Sequence, residues 1–379
     1  MIMLRPLQKD RSAASCGGAR LVKFFDLIGK GCSIRGDMLR PVVFASCLLP
    51  IGLFSTAAIS ASEAISVLPQ PAPKFQSIRV KSSPIDNFAG LGPSGHRLGK
   101  LIWVGGLELS SSEPLFGGFS DLAFLDQQRF MAVGDKGALF SARLVIDNGR
   151  PVGLDEARFR FIPGFSLKQP AWRRDAEGLA IVGNSAYVSF EGAARVLRYD
   201  IVNGEPSHVG KKIGLSEEIR KANRANSGLE AIAFTPATSA HAGSMVLISE
   251  AARKGRVLGW IRQGRRYIGF SLPQQDGLFV TAAAFTAGGD LVILERKVSL
   301  LGGLVIQIRR VRAVDFIAGD ITRTDVLLRG TFLDGFDNME GLAVQDLSDG
   351  SSLLSLISDD NFNSFQRTIL LQFLLPAGT

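Results

Sequence analysis

The stretch RRDAEGLAIVGNSAYVSFEGAARVLRYD, residues 173–200, contains three short apolar segments separated by turn residues. The first segment follows Glu177, the second lies between a Gly183-Asn184 turn and Glu191, and the third alternates from Arg195 to Tyr199. Gly-Asn pairs favour two-residue hairpin turns, and alternation of apolar and polar residues is typical of strands. The stretch therefore predicts three antiparallel strands joined by tight turns.

The same pattern recurs in four other places, at intervals of roughly fifty residues. In each copy an apolar strand opens beside a hydroxyl or acidic residue, and a second strand ends on an acid. The strand openings fall at Ser120, Glu230, Thr281 and Glu340, and the second strands end at Asp135, Glu250, Glu295 and Asp359-Asp360. A period of this length, carried by strands with little helix, is typical of a propeller whose repeats are radial blades. The sequence therefore predicts an all-β fold, a β-propeller of five or six blades closed by N-terminal strand(s).

The segments before the first repeat leave two arrangements open. Residues 75–80 alternate as a strand does, and residues 101–109 form a further strand split by two glycines. These strands either complete the last blade, which removes an exposed sheet edge, or form most of a sixth blade. One helix is predicted, over 216–223, because Ser216 can cap it and two glutamates follow in its first turn.

Residues 1–64 have the composition of a targeting sequence. Arg40 begins a basic region, residues 42–59 are mostly apolar, and small residues follow, which is the layout of a secretory signal peptide over 38–64. We expect residues 1–37 to be an extension upstream of a start at Met38, and 65–74 to be a Pro-rich linker. The propeller domain then spans 75–379, and the protein is periplasmic or secreted.

Cysteine usage and charge narrow the class of protein. All three cysteines precede Ala64, so the processed chain holds none and folds without disulfides. Residues 1–37 hold seven Lys/Arg against three Asp/Glu, and Arg40 leaves with the signal, so the net charge of +8 falls to about +3. This charge argues against a nucleic-acid partner. We expect a monomer with no stable membrane insertion after processing.

Five short motifs carry a resemblance to a known family. They are Asp175-Ala-Glu-Gly-Leu-Ala, Ser227-Gly-Leu-Glu-Ala-Ile-Ala, Asn338-Met-Glu-Gly-Leu-Ala, Gly117-Gly-Phe-Ser-Asp-Leu and Ser358-Asp-Asp-Asn-Phe. Together they resemble the bacterial phytase-like, "esterase-like activity of phytase" family, over nearly all of 75–379. The resemblance implies an exported β-propeller, grouped by name with calcium-dependent phytases. The sequence departs from the acidic pattern at Ser120 and Thr281.

The acids are the candidate chemistry of the chain. Innermost propeller strands line the channel, so Glu177, Glu230 and Glu340 should converge on one mouth as catalytic residues. The predicted metal ligands are Glu177, Glu191, Glu230, Glu250, Glu340 and Asp359, and we expect Ca²⁺. Carboxylates 4 Å apart repel by about 4 kcal/mol per pair in an intermediate dielectric. A hard cation, protonation, or pairing with arginines and backbone N–H groups would offset this repulsion. The alternative is that each glutamate hydrogen-bonds the backbone of the next blade as a repeat device.

Basic residues stand beside the acids and form the predicted substrate-binding set: Lys136, Arg173, Arg174, Arg253 and Arg367. Arginine forks suit phosphate and carboxylate groups, and the alternative is that these charges solvate exposed loops. The chain has no Gly-x-Ser-x-Gly elbow and no His-Glu-x-x-His pair, which argues against a Ser-His-Asp hydrolase or a zinc site. The favoured hypothesis is a metal-dependent hydrolase of small-molecule phosphate or other esters. Two alternatives stay open: a lactonase-like propeller enzyme, and a non-catalytic binding propeller.

Overall fold

A computed structural model describes residues 74–92, 94–192, 194–207, 209–223, 228–299 and 303–379. The chain divides into two units, Met1–Ile65 and Ser66–Thr379, and the described residues all belong to the second. The predicted upstream extension, signal peptide and nearly all of the linker lie outside the described residues. Within the described part of the chain, no helix has the length and apolar character needed to cross a membrane.

The described elements are short strands with little helix, as the repeat pattern predicts. The N-terminal strands are β1 (Gln76–Ser77), β2 (Val80–Pro84), β3 (Arg97–Leu98) and β4 (Leu101–Ser111). Blade 1 is built from β5 (Phe119–Phe124), β6 (Arg129–Gly134), β7 (Ala138–Asp147) and β8 (Arg150–Phe161). Helix α1 (Ala171–Arg174) precedes blade 2, which comprises β9 (Ala176–Val182), β10 (Ser185–Phe190), β11 (Arg195–Val202), β12 (Glu205–Pro206) and β13 (Lys211–Ile213).

The remaining blades follow the same plan. Helix α2 (Glu217–Ala222) leads into blade 3, made of β14 (Leu229–Phe234), β15 (Met245–Arg253), β16 (Arg256–Gln263) and β17 (Arg266–Pro273). Blade 4 contains β18 (Phe279–Phe285), β19 (Leu291–Ser299), β20 (Gly303–Val311) and β22 (Asp325–Thr331). Between β20 and β22 lie a 3-10 turn (Ala313–Asp315) and β21 (Gly319–Asp320), which pairs with β17 at the edge of blade 3. A second 3-10 turn (Phe332–Asp334) precedes blade 5, made of β23 (Met339–Asp346), β24 (Ser352–Ser358) and β25 (Thr368–Leu375).

The N-terminal strands complete blade 5. Strand β4 pairs antiparallel with β25, the last strand of the chain, and β2 adds to the outer side of β4. Strand β1 crosses to the outer edge of blade 1, where it pairs with β8. The five-bladed propeller and its closure by N-terminal strands are confirmed, and these strands do not form a sixth blade. Strands β2 and β4, near the start of the described propeller, therefore share one sheet with its last strand, which leaves the ring without an open seam.

The core of the molecule lies between neighbouring blades. Blades 5 and 1 meet through Leu107, Leu122 and Phe130, and the N-terminal segment adds Phe88, whose ring stacks 4.5 Å from that of Trp103 beside blade 5. Four further clusters of buried apolar side chains fill the blade interfaces in the same way. Burial of such side chains contributes about 25 cal/mol per Å² removed from water, and this packing stabilises a ring that has no disulfides.

The predicted helix at 216–223 is present as α2. The Ser216 hydroxyl accepts a hydrogen bond from the Ile219 N–H at 3.3 Å, which satisfies one of the unpaired donors of the first turn. Ile219 and Ala222 are buried among the side chains that join blades 2 and 3. Helix α1 was not predicted, and its Trp172 is 48% exposed, so this tryptophan does not belong to the core between blades.

Each innermost strand carries a β-bulge at the same place, directly after its first residues. The pairing register shifts beside Ser120, Glu177, Glu230, Thr281 and Glu340. A bulge places two residues opposite one on the partner strand and turns one side chain away from the regular alternation. These five equivalent residues therefore face the central channel at the end where the innermost strands begin.

Candidate functional site

Ten equivalent positions surround the end of the channel where the innermost strands begin. The five bulge residues form one ring: Ser120, Glu177, Glu230, Thr281 and Glu340. The residue at the end of the second strand forms another: Asp135, Glu191, Glu250, Arg296 and Asp359. Nine of these ten side chains line a single cavity of about 220 Å³, Thr281 being the exception. We call this cavity the acidic mouth.

The acidic mouth collects every predicted metal ligand and every predicted catalytic glutamate. Glu177, Glu230 and Glu340 come from the bulges, and Glu191, Glu250 and Asp359 come from the second strands. The chain is far apart at these points, and the radial repeat brings the side chains together. The next residue along, Asp360, serves the loop instead, because its carboxylate accepts the Gly118 N–H at 3.0 Å.

The alignment of Glu295 with the acids of the other blades is wrong by one residue. Val280 pairs with Glu295, and Phe279 pairs with Arg296, so the position that holds Glu250 in blade 3 holds Arg296 in blade 4. Glu295 is fully buried within its blade and pairs with Arg309 at 2.6 Å. A one-residue slip moves a strand side chain to the opposite face, which takes Glu295 out of the channel.

Burial and mutual repulsion dominate the electrostatics of the acidic mouth. Desolvation raises the pKa of Glu177 and of Glu230 well above the usual range, and neighbouring carboxylates raise both further. Burial also raises the pKa of Asp359 to about 7. The pKa of Glu340 is raised by burial, although Arg296 at 2.7 Å and the Asn338 amide at 3.0 Å favour its charged form. At neutral pH these groups therefore compete for protons, because their charges lie close together with little water.

Two further carboxylates belong to the site. Asp175, Glu177 and Glu191 each offer a carboxylate oxygen within 4.8 Å of the others, a spacing that one metal ion can span. Burial, then repulsion from Glu191, raises the pKa of Asp175 to about 7. Asp135 lines the cavity, and its Oδ1 is buried with no hydrogen-bond partner among the described residues. Both acids are visible in the sequence repeats, Asp175 two residues before a strand-opening glutamate and Asp135 at the end of a second strand.

Asp121 is the residue that joins neighbouring blades, next to the first bulge. Its Oδ1 accepts the N–H groups of Leu122 at 2.8 Å and Leu342 at 3.1 Å, and its Oδ2 accepts the Leu179 N–H at 2.7 Å. Leu179 and Leu342 lie two residues after Glu177 and Glu340, so this carboxyl holds the backbone behind both glutamates. Complete burial raises the pKa of Asp121 to about 8, although the three N–H donors oppose the rise.

The alternative role of the glutamates, a hydrogen bond to the backbone of the next blade, is filled between blades 5, 1 and 2 by Asp121. Glu177 and Glu230 have no side-chain hydrogen bond to any described backbone group, and Glu230 is only 9% exposed. A signal for Asp121 exists in the sequence, because the other blades carry glycine or alanine at its position: Gly178, Ala231, Ala282 and Gly341. A buried acid at a position that is otherwise small marks a special contact.

Two of the predicted substrate-binding residues lie beside the acidic mouth. Lys136 follows Asp135, and its ammonium lies 2.8 Å from the centre of the Phe362 ring. Burial lowers the pKa of Lys136, while Asp135 favours its charged form. Arg174 donates to the Lys136 carbonyl at 2.9 Å, and its charge acts on Asp135 and Asp175. These two residues place positive charge at the edge of blade 1.

The other three predicted substrate-binding residues make contacts outside the cavity. Arg173 lines a separate cavity of about 160 Å³ with Phe165 of the loop after β8 and Leu197 of blade 2. Arg253 donates to the Ala222 carbonyl at 3.2 Å, at the end of helix α2. Arg367 pairs with Asp337 at 3.2 Å. The partners Ala222 and Asp337 lie in the segments that lead into the same blades, 31 and 30 residues before the two arginines, and residue spacing did not reveal these contacts.

The fold and the cavity define a five-bladed propeller with one strongly acidic channel mouth. Residues 114–362, more than half of the chain, match the family described as "Phytase-like: Esterase-like activity of phytase". The chain belongs to this family, as the five sequence motifs predicted. A comparison with curated proteins gave no significant match.

Solved propeller structures resemble the chain at low identity. The PQQ-bound aldose sugar dehydrogenase from Streptomyces coelicolor is 12% identical, with a TM-score of 0.39, over 78% of this chain and 100% of that one. The β-propeller domain of Cps50 (Swd1) from Myceliophteria thermophila is 13% identical, with a TM-score of 0.33, over 82% and 90% of the two chains. The assignment of five blades rests on the strand pairing described above.

Proposed function

We propose that the acidic mouth binds a divalent cation, Ca²⁺, and hydrolyses ester bonds, foremost those of phosphate esters. The observation that carries this proposal is the crowding of seven carboxylates with one arginine around about 220 Å³. Each close pair of ionised carboxylates costs about 4 kcal/mol at 4 Å in an intermediate dielectric. A divalent cation offsets this repulsion most directly, because it interacts with several carboxylates at once.

The donor set fits Ca²⁺. All seven acids offer oxygen, the donor that this hard cation prefers, and Ca²⁺ accepts six to eight oxygens in flexible geometry. Asp175, Glu177 and Glu191 would hold the ion, since their oxygens already lie within 4.8 Å of one another. The unpartnered Oδ1 of Asp135 supports the same assignment. A cation bound there would polarise an ester oxygen and make a bound water easier to deprotonate.

The protein's own residues supply the proton transfers. Glu230 is buried, lines the cavity and has no hydrogen-bond partner among the described residues, so its carboxylate is available to accept a proton from an attacking water. In a phosphate ester the water oxygen bonds to phosphorus and the P–O bond to the alcohol breaks. In a carboxyl ester the water oxygen bonds to the acyl carbon and the acyl C–O bond breaks. In both reactions the leaving alcohol takes a proton from a protonated carboxyl. Burial raises the pKa of Asp359 to about 7, near the pH at which an acid–base catalyst is most effective, and burial also raises the pKa of Glu230.

Metal analysis and a substrate screen test the proposal together. The purified protein should contain a divalent cation or bind added Ca²⁺, and chelator should lower its melting temperature. It should hydrolyse p-nitrophenyl phosphate, p-nitrophenyl acetate or a simple lactone in the presence of Ca²⁺ and lose that activity with chelator. Absence of cation binding, with a melting temperature unchanged between chelator and millimolar Ca²⁺, would reject the proposal.

We also propose that the protein works outside the cytoplasm, as the predicted signal peptide implies. Extracellular Ca²⁺ modules bind the ion with dissociation constants of about 0.1–1 mM. An affinity in this range does not require protein ligands on every side of the ion, so the acidic mouth suits it. The mature N-terminus should fall between Ala58 and Ser66, which intact-mass measurement on exported protein determines. A mature chain that retains Cys47 would contradict the predicted cleavage.

A further inference from the structure

Arg296 breaks the repeat at the acidic mouth. At its position the other four blades carry Asp135, Glu191, Glu250 and Asp359. Among the described residues that line the cavity, Arg296 is the only basic one. One positive charge cannot neutralise seven carboxylates, so charge neutralisation alone does not explain why an arginine occupies this position.

The guanidinium of Arg296 is only partly used by the protein. Its Nη2 lies 2.7 Å from Oε1 of Glu340, and this is its ion pair among the described residues. Its Nε is buried and has no hydrogen-bond partner there. A guanidinium presents five N–H donors in a planar fork, which matches two oxygens of a phosphate or carboxylate. Donors therefore remain for an anion inside the cavity.

The most closely spaced carboxylates at the acidic mouth and Arg296 belong to different blades. The carboxylates that converge within 4.8 Å, Asp175, Glu177 and Glu191, belong to blade 2 and the loop before it. Arg296 belongs to blade 4, which is not adjacent to blade 2 in a ring of five. Glu230, Glu340 and Asp359 also act on the charge of Arg296, but its free N–H donors and the carboxylates of blade 2 remain two separate places of contact. A group that carries several negative oxygens can interact with both places at once.

We propose that Arg296 binds the anionic group of the substrate and thereby selects anionic esters, phosphate monoesters foremost, over neutral esters and lactones. This inference rests on the proposed function, because it assumes that the acidic mouth holds the substrate. Without Arg296, seven carboxylates would repel an anionic substrate. With it, the substrate's charge contributes to binding, and a neutral ester gains nothing from the guanidinium.

The test compares Arg296→Gln with Lys297→Gln as a matched control. Lys297 is the next residue and loses the same charge, but its ammonium donates to the Asp276 carbonyl at 2.7 Å, outside the cavity. Calorimetry measures the affinity for inorganic phosphate with and without saturating Ca²⁺, and for Ca²⁺ alone. We expect Arg296→Gln to weaken phosphate binding at least tenfold and to leave Ca²⁺ binding equal or tighter. Lys297→Gln should match the unmodified protein in both measurements.

The outcomes separate this inference from the proposed function. If Ca²⁺ binds but Arg296→Gln binds phosphate as well as the unmodified protein, or no variant binds phosphate, the role of Arg296 is overturned and the cation site stands. If Ca²⁺ does not bind the unmodified protein, the proposed function fails, while the phosphate measurement without Ca²⁺ still decides the role of Arg296. Arg296→Lys keeps the charge and the partner of Glu340 but not the fork, and it should show intermediate phosphate affinity. If Arg296→Lys and Arg296→Gln are both folded and bind phosphate equally weakly, phosphate binding requires the planar donors of the guanidinium and not only its charge. That result would also support the inference.

Discussion

The two ends of the central channel are built by the same five strands, but charged side chains line one end and mainly apolar side chains line the other. At the acidic mouth, seven carboxylates line about 220 Å³. At the other end, which we call the apolar mouth, the strands finish around a cavity of about 350 Å³. The equivalent side chains that ring it are Phe124, Ile181, Phe234, Phe285 and Val344. Each strand thus carries a polar end and an apolar end.

The contrast between the two mouths shows how a regular sheet accommodates a cluster of carboxylates whose burial opposes folding. Every innermost strand begins with a bulge, which turns an acidic or hydroxyl side chain into the channel, and then continues in regular pairing. The regular part buries apolar side chains between the blades and supplies stability. The bulged part carries carboxylates whose burial opposes folding. The candidate functional side chains are therefore concentrated where regular pairing is interrupted.

The largest expected effect tests the acidic mouth directly. Glu177→Gln or Glu230→Gln removes one charge while keeping volume and hydrogen-bonding capacity, and hydrolysis should fall by about 100-fold or more, the usual scale for an acid–base group. Melting temperature should stay equal or rise, because a repelled buried charge is gone. Steady-state kinetics and thermal melting measure both quantities. Gln345→Ala at the apolar mouth is the control and should retain activity. Full activity in both Glu177→Gln and Glu230→Gln would show that the acidic mouth is no more important for hydrolysis than the apolar mouth.

A smaller effect is expected at Asp121, between the two mouths. Asp121→Ala leaves the N–H groups of Leu122, Leu179 and Leu342 without their acceptor and should cost about 3 kcal/mol of unfolding free energy. Asp121→Asn is the comparison: its amide oxygen keeps one acceptor, but its Nδ2 cannot accept an N–H, so this variant should cost less unfolding free energy than Asp121→Ala. Urea unfolding measures the cost, and Ca²⁺ affinity should fall most in the Ala variant. If the Ala variant is as stable as the unmodified protein, the hydrogen bonds of Asp121 do not stabilise the contact between blades.

At the apolar mouth we expect a loss of stability without loss of function. Phe285 packs on Phe316 with ring centres 5.1 Å apart and is partly buried. Phe285→Ala should therefore cost about 2 kcal/mol, less than the 3–5 kcal/mol of a fully buried phenylalanine. Urea unfolding and Ca²⁺ calorimetry on the same sample measure the two consequences. A Ca²⁺ affinity that changes with Phe285→Ala would show that the two mouths are coupled.

The last prediction concerns the pH dependence of the cation-free protein. Asp175 and Asp359 have pKa values raised to about 7 from 3.8, so between these values the folded state holds protons that the unfolded chain has released. The unfolding free energy should therefore fall as pH rises from about 4 to about 7 in the presence of chelator. Millimolar Ca²⁺ should reverse this trend, because it binds the deprotonated carboxylates. A melting temperature that rises with pH in chelator would contradict the raised pKa values.

Much of the fold was predictable because a propeller repeats one local pattern. The stretch 173–200 contains its own strands and turns, and its copies identify each blade without knowledge of long-range contacts. The acidic mouth was also predictable in outline, because equivalent residues of radial repeats meet at the channel. The six predicted metal ligands all line one cavity for this reason. The predicted arginines fared differently, because a loop side chain finds its partner only in the folded structure.

The sequence by itself determined the strands, the repeat and the convergence of the strand-opening glutamates, since alternation and spacing are local properties. Only the pairing register of β18 with β19 shows that Arg296 and not Glu295 faces the channel, because neighbouring residues of a strand point to opposite faces. The tertiary structure alone decided that the N-terminal strand β4 pairs with β25, which needs residues more than 250 positions apart to meet. It also gave Asp121 three donors from three blades, a contact that exists only when the ring is closed.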